Sequence, residues 1–325
     1  MEILFDEIPS LDLADFTSGN PAQKAAFVQK LGEAYQNIGF VAIKNHGLSQ
    51  DLQDRLYGSI KDFFKLPDDI KAKYEKPEIG FQRGYTGKGK EHAKGRNTGD
   101  LKEFYHVGQE LSRIPDTDSV KSEYPPNIWP SELPEFQNDA NEAYRTLESA
   151  GKSMLQAIAL SLELDENYFE DKVAYGNSIL RQIHYFPIEN PDEVPADAVR
   201  AAEHGDINLI TLLMGASADG LQVKRMDGKW IPITALPDQL VVNVGDMLER
   251  LTNKKLKSTI HRVVNPPREK MNTSRYSIPF FMHPRSEMDL TCLESCVDAD
   301  HPKQFEDATA GEFLEERLRE LGLRK

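Results

Sequence analysis

Residues 201–215 read AAEHGDINLITLLMG, and the interpretation of the whole chain turns on them. They set His204 and Asp206 two positions apart, directly before an apolar run. In an extended strand, residues i and i+2 point to one face. The spacing therefore predicts an imidazole and a carboxylate side by side at the head of a buried strand. A carboxylate in such surroundings is costly unless it is hydrogen-bonded, paired or bound to a metal. A simple His–Asp hydrogen bond meets that demand as well as a metal does, so the pair alone leaves both readings open.

His261 lies 55 residues beyond Asp206, in a second β-like segment, STIHRVV. Two imidazoles and one carboxylate on one face of an octahedron form the facial arrangement of non-haem Fe(II) centres, with up to three positions left open. Arg275 and Ser277 follow His261 by 14 and 16 residues, in SRYSIPFF. They are again i and i+2, so they share a strand face. An inward-facing arginine in an apolar strand needs an anion. A guanidinium binds a carboxylate through two parallel hydrogen bonds, and a neighbouring hydroxyl adds a third. A core Asp or Glu would serve as that anion as well as a ligand would. A metal triad together with a carboxylate clamp is far less expected by chance than either alone.

The surrounding texture is β-rich. SILRQIHYFPI, INLITLLMG, GLQVKRMDGKWIPI, QLVVNVGDMLERLT, STIHRVVN and SRYSIPFFMH are short and separated by turn signals. Asp227-Gly228 marks a hairpin. Several short strands at near-even spacing argue for a sandwich or jelly roll. The first third reads as helices with one strand, FVAIKNHG. One helix is expected in NPAQKAAFVQKLGEAYQNIG, with Asn20 as N-cap, Pro21 at the first helical position and Gly39 at the stop. A second starts at Ser49 and ends before Pro67. A long helix is expected over 133–162, a loop over 80–99, and a last helix in AGEFLEERLRELGL. The fold class is mainly β with flanking α.

Bulk properties narrow the function. The 325 residues hold 39% apolar and 28% charged side chains, as in a globular protein, and the net charge of −14 disfavours nucleic acid and anionic membranes as partners. No run is long and apolar enough to span a bilayer, and the N-terminus lacks the pattern of a secretory signal. Only two cysteines occur, Cys292 and Cys296, which excludes a disulfide framework and points to the cytoplasm. Nothing in the sequence fixes the oligomeric state, and a monomer is compatible with it.

The motif His204-x-Asp206, His261, then Arg275-x-Ser277 resembles that of the isopenicillin N synthase-like family of 2-oxoglutarate/Fe(II)-dependent dioxygenases. IPSLDL, IGFVAIKNHGL, FFKLP, DLKEFYHVG, LRQIHYFP, ADGLQV and VVNVGDMLERLTNKKLKSTIHRVVNP look like its landmarks in order. The resemblance implies a distorted double-stranded β-helix (jelly roll, cupin-like) core with an N-terminal helical layer. The regions are 1–110 (N-terminal helices and strand), 111–175 (long helix), 176–285 (Fe(II)/2-oxoglutarate core) and 286–325 (C-terminal tail), together one catalytic unit. It implies Fe(II) on His204, Asp206 and His261, and O2 as oxidant. It implies 2-oxoglutarate as cosubstrate, held by Arg275, Ser277 and Tyr185. The reaction is oxidation, by default hydroxylation, of a small molecule with release of succinate and CO2. Ile183 stands where the family often has an Asn near the cosubstrate, so that polar contact is missing or comes from elsewhere. That departure keeps open an oxidase or oxidative cyclase that uses no 2-oxoglutarate, as isopenicillin N synthase and aminocyclopropane carboxylate oxidase are. A non-catalytic jelly roll binding a small acid is a third reading. Phe281 matches a position that often packs on substrate, and Arg83, Tyr85, Phe104 and His106 are further candidate substrate contacts. Relatives commonly carry Thr at Gly205, and Gly there is expected to leave room beside the metal.

Two features are decoys. GYTGKGKE (84–91) approximates a P-loop, but Glu91 replaces the hydroxyl residue and no strand–loop–helix context surrounds it. His46 has no partner at metal spacing and reads as structural.

Overall fold

The computed structural model describes residues 5–90, 102–190, 199–214, 220–233, 236 and 238–320. The chain begins with β1 (Ser10–Asp12), α1 (Leu13–Thr17), α2 (Pro21–Asn37), β2 (Phe40–Lys44), α3 (Gln50–Phe64) and α4 (Asp68–Lys71). Next come β3 (Gly84–Thr86), β4 (Lys102–Val107), α5 (Glu135–Ser161), α6 (Glu170–Val173) and β5 (Ile179–Tyr185). The remaining strands are β6 (Ala201–His204), β7 (Ile210–Met214), β8 (Leu221–Lys224), β9 (Trp230–Pro232) and β10 (Leu240–Val244). After α7 (Asp246–Leu251), the chain closes with β11 (His261–Val263), β12 (Arg275–Ser277), β13 (Pro279–Met282) and α8 (Ala310–Glu320).

Local chemistry sets these boundaries. Asn20 caps α2 through bonds from the Ala22 and Gln23 amides, and the Gln23 side chain reaches back to the Asn20 amide. The helix stops where Gly39 takes φ +70. Ser49 accepts from the Leu52 amide to start α3. Gly228, at φ +83, supplies the turn that joins β8 to β9.

The strands form two sheets. The larger runs β1-β2-β10-β7-β13-β5-β4-β3, with β12 also paired to β5, and the smaller runs β6-β11-β8-β9. They face each other through an apolar layer that includes Phe40, Val241, Leu221, Val223 and Val263. The large sheet turns its other face to α2, α3 and α5, where Tyr35, Phe63, Tyr105, Phe136 and Tyr144 are fully buried. This is the expected jelly roll with a helical layer.

Three expectations need correction. The first 110 residues hold four strands, not one: β1 and β3 are three-residue edge strands, and β4 is buried almost throughout, so it lacks the alternation that betrays a half-buried strand. The loop expected over 80–99 contains β3, while 91–99 lie outside the described residues. SRYSIPFFMH is two strands, because Ile278 separates β12 from β13.

Candidate metal and cosubstrate site

His204 is the last residue of β6, and it pairs directly with His261 on β11, bringing the ring centroids to 4.3 Å. Asp206 is not in a strand. The turn from Asp206 to Leu209 takes backbone bonds from Gly245, Asp246 and Met247, at the corner between β10 and α7, and β7 starts only at Ile210. The same-face argument for His204 and Asp206 therefore fails in detail, yet the turn still delivers the carboxylate. Donor atoms of His204, Asp206 and His261 all lie within 4.8 Å of one another, the only such group of three among the described residues.

Each group is held from behind. Asp206 Oδ2 accepts from Thr211 Oγ1 at 2.6 Å and Asn243 Nδ2 at 2.8 Å, while Oδ1 lies 3.7 Å from His261 Nε2. The Nδ1 atoms of His204 and His261 sit 2.7 and 3.2 Å from the carbonyls of Ala202 and Thr259. Donation to those carbonyls leaves both Nε2 lone pairs for a metal. Although part of His204 meets solvent, crowding by protein desolvates the ring and, with His261 beside it, pushes its pKa down to about 4. Burial opposes the Asp206 anion, but His261, His204, Asn243 and Thr211 together hold its pKa below the usual value. His204 is thus a neutral imidazole and Asp206 a carboxylate near neutrality, as a divalent metal needs of its ligands.

Cross-strand register shows what surrounds the triad, because residues directly opposite share a sheet face. Phe40, Asn243, Thr211 and Phe281 form one such row across β2, β10, β7 and β13. Phe40 meets His261 edge-on at 5.6 Å, and Asn243 and Thr211 hold Asp206. Phe281 is next in the row. A second row runs Ser277, Ile183, Phe104 and Thr86, and a third runs Arg275, Tyr185 and Lys102. All three rows lie on one face, since Ile179 (opposite Phe281), Ile183 and Tyr185 alternate along β5. Ile183 packs with Phe104 and Tyr185.

Arg275 is 7% exposed, its guanidinium carbon is 5.0 Å from the Tyr185 ring centroid, and Nε and Nη1 have no partner. No carboxylate of the described residues pairs with it, so among them no internal salt bridge takes the place of a ligand. A buried guanidinium with unspent N–H groups fits a carboxylate ligand.

His106 and Phe104 also reach this face. His106 Nδ1 lies 3.0 Å from the Phe81 carbonyl, and its Nε2 accepts from Arg181 Nε at 2.6 Å. The Arg181 guanidinium lies 4.4 Å from the Phe104 ring centroid and 5.5 Å from that of Phe281. Arg83 and Tyr85 do not reach it. Tyr85 pairs with Tyr105, so it points to the helical layer, where its hydroxyl donates to Glu103 and its ring meets Phe63. Arg83 is fully buried against Gly108, where an added Cβ would come 2.1 Å from the guanidinium carbon. Strand parity is the reason: both residues are out of phase with Gly84 and Thr86. Gly205 leaves no free space either. A Cβ there would lie 3.0 Å from Asp246 Oδ1 and 3.2 Å from Ser258 Oγ. Gly84–Thr86 is a strand antiparallel to β4, not a P-loop. His46 bridges Asp238 O and the Leu48 amide.

Behind the site, Glu103 joins Lys71 (2.8 Å), Tyr85 (2.5 Å) and His184 Nδ1 (2.7 Å), and His184 Nε2 reaches Ser274 Oγ at 2.9 Å. This buried network ties β4 and β5 to the residue before Arg275. Sequence reasoning missed Asn243, Thr211, Arg181 and Glu103. The first two carried a signal, being single polar side chains in the otherwise apolar runs LVVNV and ITLLM.

Family comparisons agree with this geometry. Residues 8–132 match the model described as non-haem dioxygenase in morphine synthesis N-terminal, and 176–284 match that of the 2OG-Fe(II) oxygenase superfamily. The 2-oxoglutarate-Fe(II) type oxidoreductase hxnY of Emericella nidulans is 31% identical, over 94% of this chain and 88% of its own. This chain belongs to the 2OG-Fe(II) oxygenase superfamily. A Caulobacter crescentus protein assigned to the same family has a crystal structure that superposes with TM-score 0.86 at 42% identity, covering 96% of this chain and 98% of that one. A full-length Neurospora crassa protein, crystallised in complex with alpha-KG and thymine, superposes with TM-score 0.84 at 31% identity, covering 96% of each chain. The superfamily member described here is accordingly an oxidoreductase that works with Fe(II) and 2-oxoglutarate on a small molecule. None of its described helices is long and apolar enough to cross a membrane.

Proposed function

We propose that His204, Asp206 and His261 are the Fe(II) ligands and that Arg275, Ser277 and Tyr185 hold 2-oxoglutarate, in an enzyme that hydroxylates a small molecule. One observation carries this reading: a three-donor cluster and a buried arginine with unspent N–H groups share one interior of the jelly roll. Fe(II) bound there supplies the redox chemistry that couples decarboxylation of 2-oxoglutarate, to succinate and CO2, with insertion of an oxygen atom from O2 into a C–H bond.

The protein's own groups do the positioning. Asn243 and Thr211 fix the Asp206 carboxylate so that Oδ1 faces the two imidazoles. Backbone carbonyls fix both rings. Arg275 and the Ser277 hydroxyl take the distal carboxylate of the 2-oxo acid, and Tyr185 lines its path. Ile183 makes that path apolar at one point, and Arg275 is the stronger anchor. Phe281, next in the row to Thr211, bounds the substrate space together with Phe104 and His106, with Arg181 among them. The regions 1–110, 111–175, 176–285 and 286–325 act as one catalytic unit, because strands of the first and third share the larger sheet, and α5 of the second and Phe313 of the fourth belong to the same core. Two free, buried cysteines suit a reducing, cytoplasmic setting.

The test is an anaerobic titration with Fe(II) and 2-oxoglutarate, followed by succinate measurement in air. The reading expects a weak visible charge-transfer band that His204→Ala abolishes, and succinate formed in step with O2 uptake. No band, or O2 uptake without succinate, would refute the 2-oxoglutarate reading and favour an oxidase that dispenses with it.

A further inference from the structure

Arg200, just before β6, is a second buried arginine near the Arg275 end of the site. It is 9% exposed, and its Nη2 donates to the carbonyl of Thr273, two residues before Arg275, at 3.0 Å. Its Nε has no partner, and no carboxylate of the described residues forms an ion pair with it. Burial lowers its pKa first, and the neighbouring Arg275 charge lowers it further, whereas Tyr185 opposes the shift. Arg200, Arg275 and Tyr185 thus share one local field.

Two guanidiniums buried close together repel and are poorly solvated, so such a pair is expected where an anion enters between them. The free donors suffice for one carboxylate. Arg275 Nε and Nη1 are unspent and carry three N–H groups, the Ser277 hydroxyl on β12 is a fourth donor, and Arg200 Nε adds a fifth. A carboxylate offers about four lone-pair sites. Arg275 with Ser277 matches that number, but alone it would leave Arg200 buried with no carboxylate partner among the described residues.

We propose that Arg200 is a second cationic contact for the distal carboxylate of the bound 2-oxo acid, so that the Arg200–Arg275 pair selects a dicarboxylic over a monocarboxylic cosubstrate. The proposal rests on the reading that Arg275 binds that carboxylate. Arg200 contributes binding and selectivity, not chemistry.

The experiment measures anaerobic binding of 2-oxoglutarate and of 2-oxobutyrate, which lacks the distal carboxylate, to Mn(II)-loaded parent, Arg200→Gln and Arg275→Gln proteins by calorimetry. Thermal unfolding without ligand is recorded alongside. Arg200→Gln is expected to weaken 2-oxoglutarate by about tenfold to a hundredfold, the factor carried by one or two charge-assisted hydrogen bonds. Binding of 2-oxobutyrate should stay within about twofold, and the unliganded protein should be as stable as the parent or more so, because a repulsion is removed. An unchanged affinity for 2-oxoglutarate overturns the proposal, and so does an equal loss for both acids, which would mark Arg200 as a brace for Thr273. If Arg200→Gln does not fold, Arg200→Lys takes its place: it keeps the charge but loses the fork, so a several-fold fall in selectivity is expected and an unaltered ratio overturns the proposal. If Arg275→Gln binds 2-oxoglutarate like the parent, the underlying assignment of Arg275 is wrong. If only Arg275→Gln loses binding, that assignment stands and the role of Arg200 falls.

Discussion

Thr211→Val probes how the candidate metal site is built. Valine nearly matches threonine in shape, so β7 and its neighbour Phe281 should keep their packing. What disappears is the 2.6 Å hydrogen bond to Asp206 Oδ2. Two effects then oppose each other. A carboxylate with fewer hydrogen bonds is more basic, which strengthens a metal–oxygen bond. The same carboxylate is also freer to rotate, since the Asn243 amide at 2.8 Å is the one donor left on that oxygen. A single donor cannot fix both side-chain torsions, so the loss of orientation dominates. A hydrogen bond to a charged group is worth about 1.5–3 kcal/mol, and removing a partner that orients a metal ligand typically costs about 10–100-fold in metal affinity. Stability should fall by only about 1–2 kcal/mol, because the Asn208 amide that also meets Thr211 retains the Ile210 carbonyl at 2.7 Å. Competitive Fe(II) titration against a chelator, with urea unfolding as control, separates the two. Metal affinity within about twofold of the parent in a folded variant would refute the idea that the Thr211 hydroxyl helps place this carboxylate.

The buried Glu103 network makes a pH-dependent prediction. Burial raises the pKa of Glu103, but His184, Lys71 and Tyr85 outweigh it, so the folded value lies below 4.5. A depressed carboxyl contributes stability above its unfolded pKa and loses it as pH falls through the folded value. Glu103→Gln should therefore cost about 2–4 kcal/mol near neutrality, with a gap to the parent that narrows below about pH 4.5; a gap constant from pH 7 to pH 3 in urea unfolding would contradict this. Gly205→Thr should destabilise by about 1–3 kcal/mol by overpacking, because its side chain meets the Asp246 carboxylate and the Ser258 hydroxyl, themselves bonded at 2.6 Å. A thermal midpoint equal to the parent's would show that this corner yields at no cost.

What was legible in the sequence, and what was not, follows from the range of the interactions. Helix starts were readable because capping is local: Asn20 and Ser49 sit one residue before the helices they cap. A sandwich or jelly roll was readable from strand spacing and the Asp227-Gly228 turn, and the resemblance to the dioxygenase family singled out the jelly roll. The triad was readable as a set of residue types, but for a reason that was partly wrong. Asp206 is delivered by a turn bonded to the β10–α7 corner, a contact about 40 residues away in the chain that no strand periodicity encodes. The substrate candidates show the same limit. Phe104 and His106 lie on the site face and Arg83 and Tyr85 do not, although all four come from neighbouring segments. The β4–β5 register puts Phe104 and His106 on that face, and the β3–β4 register turns Tyr85 away from it; a slip of β3 by one residue would turn Tyr85 toward the site.

That register dependence bears on how selectivity is divided in the site. The rows that support the triad run through β2, β10, β7 and β13, whereas those bearing Arg275, Tyr185 and Phe104 run through β12, β5 and β4. The first group packs on the smaller sheet through residues such as Phe40 and Val241. The second depends on its register, and Glu103, Lys71, His184 and Ser274 pin that register from the helical side. Removing this pin should disturb cosubstrate placement more than metal binding, because the triad draws none of its hydrogen bonds from β4, β5 or β12. Glu103→Gln thus separates the two halves of the site. At a pH where the variant is fully folded, its 2-oxoglutarate affinity should fall while its Fe(II) affinity stays within about twofold. An equal loss of both would mean that the sheet responds as one rigid unit and that the helical-side network has no selective hold on the cosubstrate end.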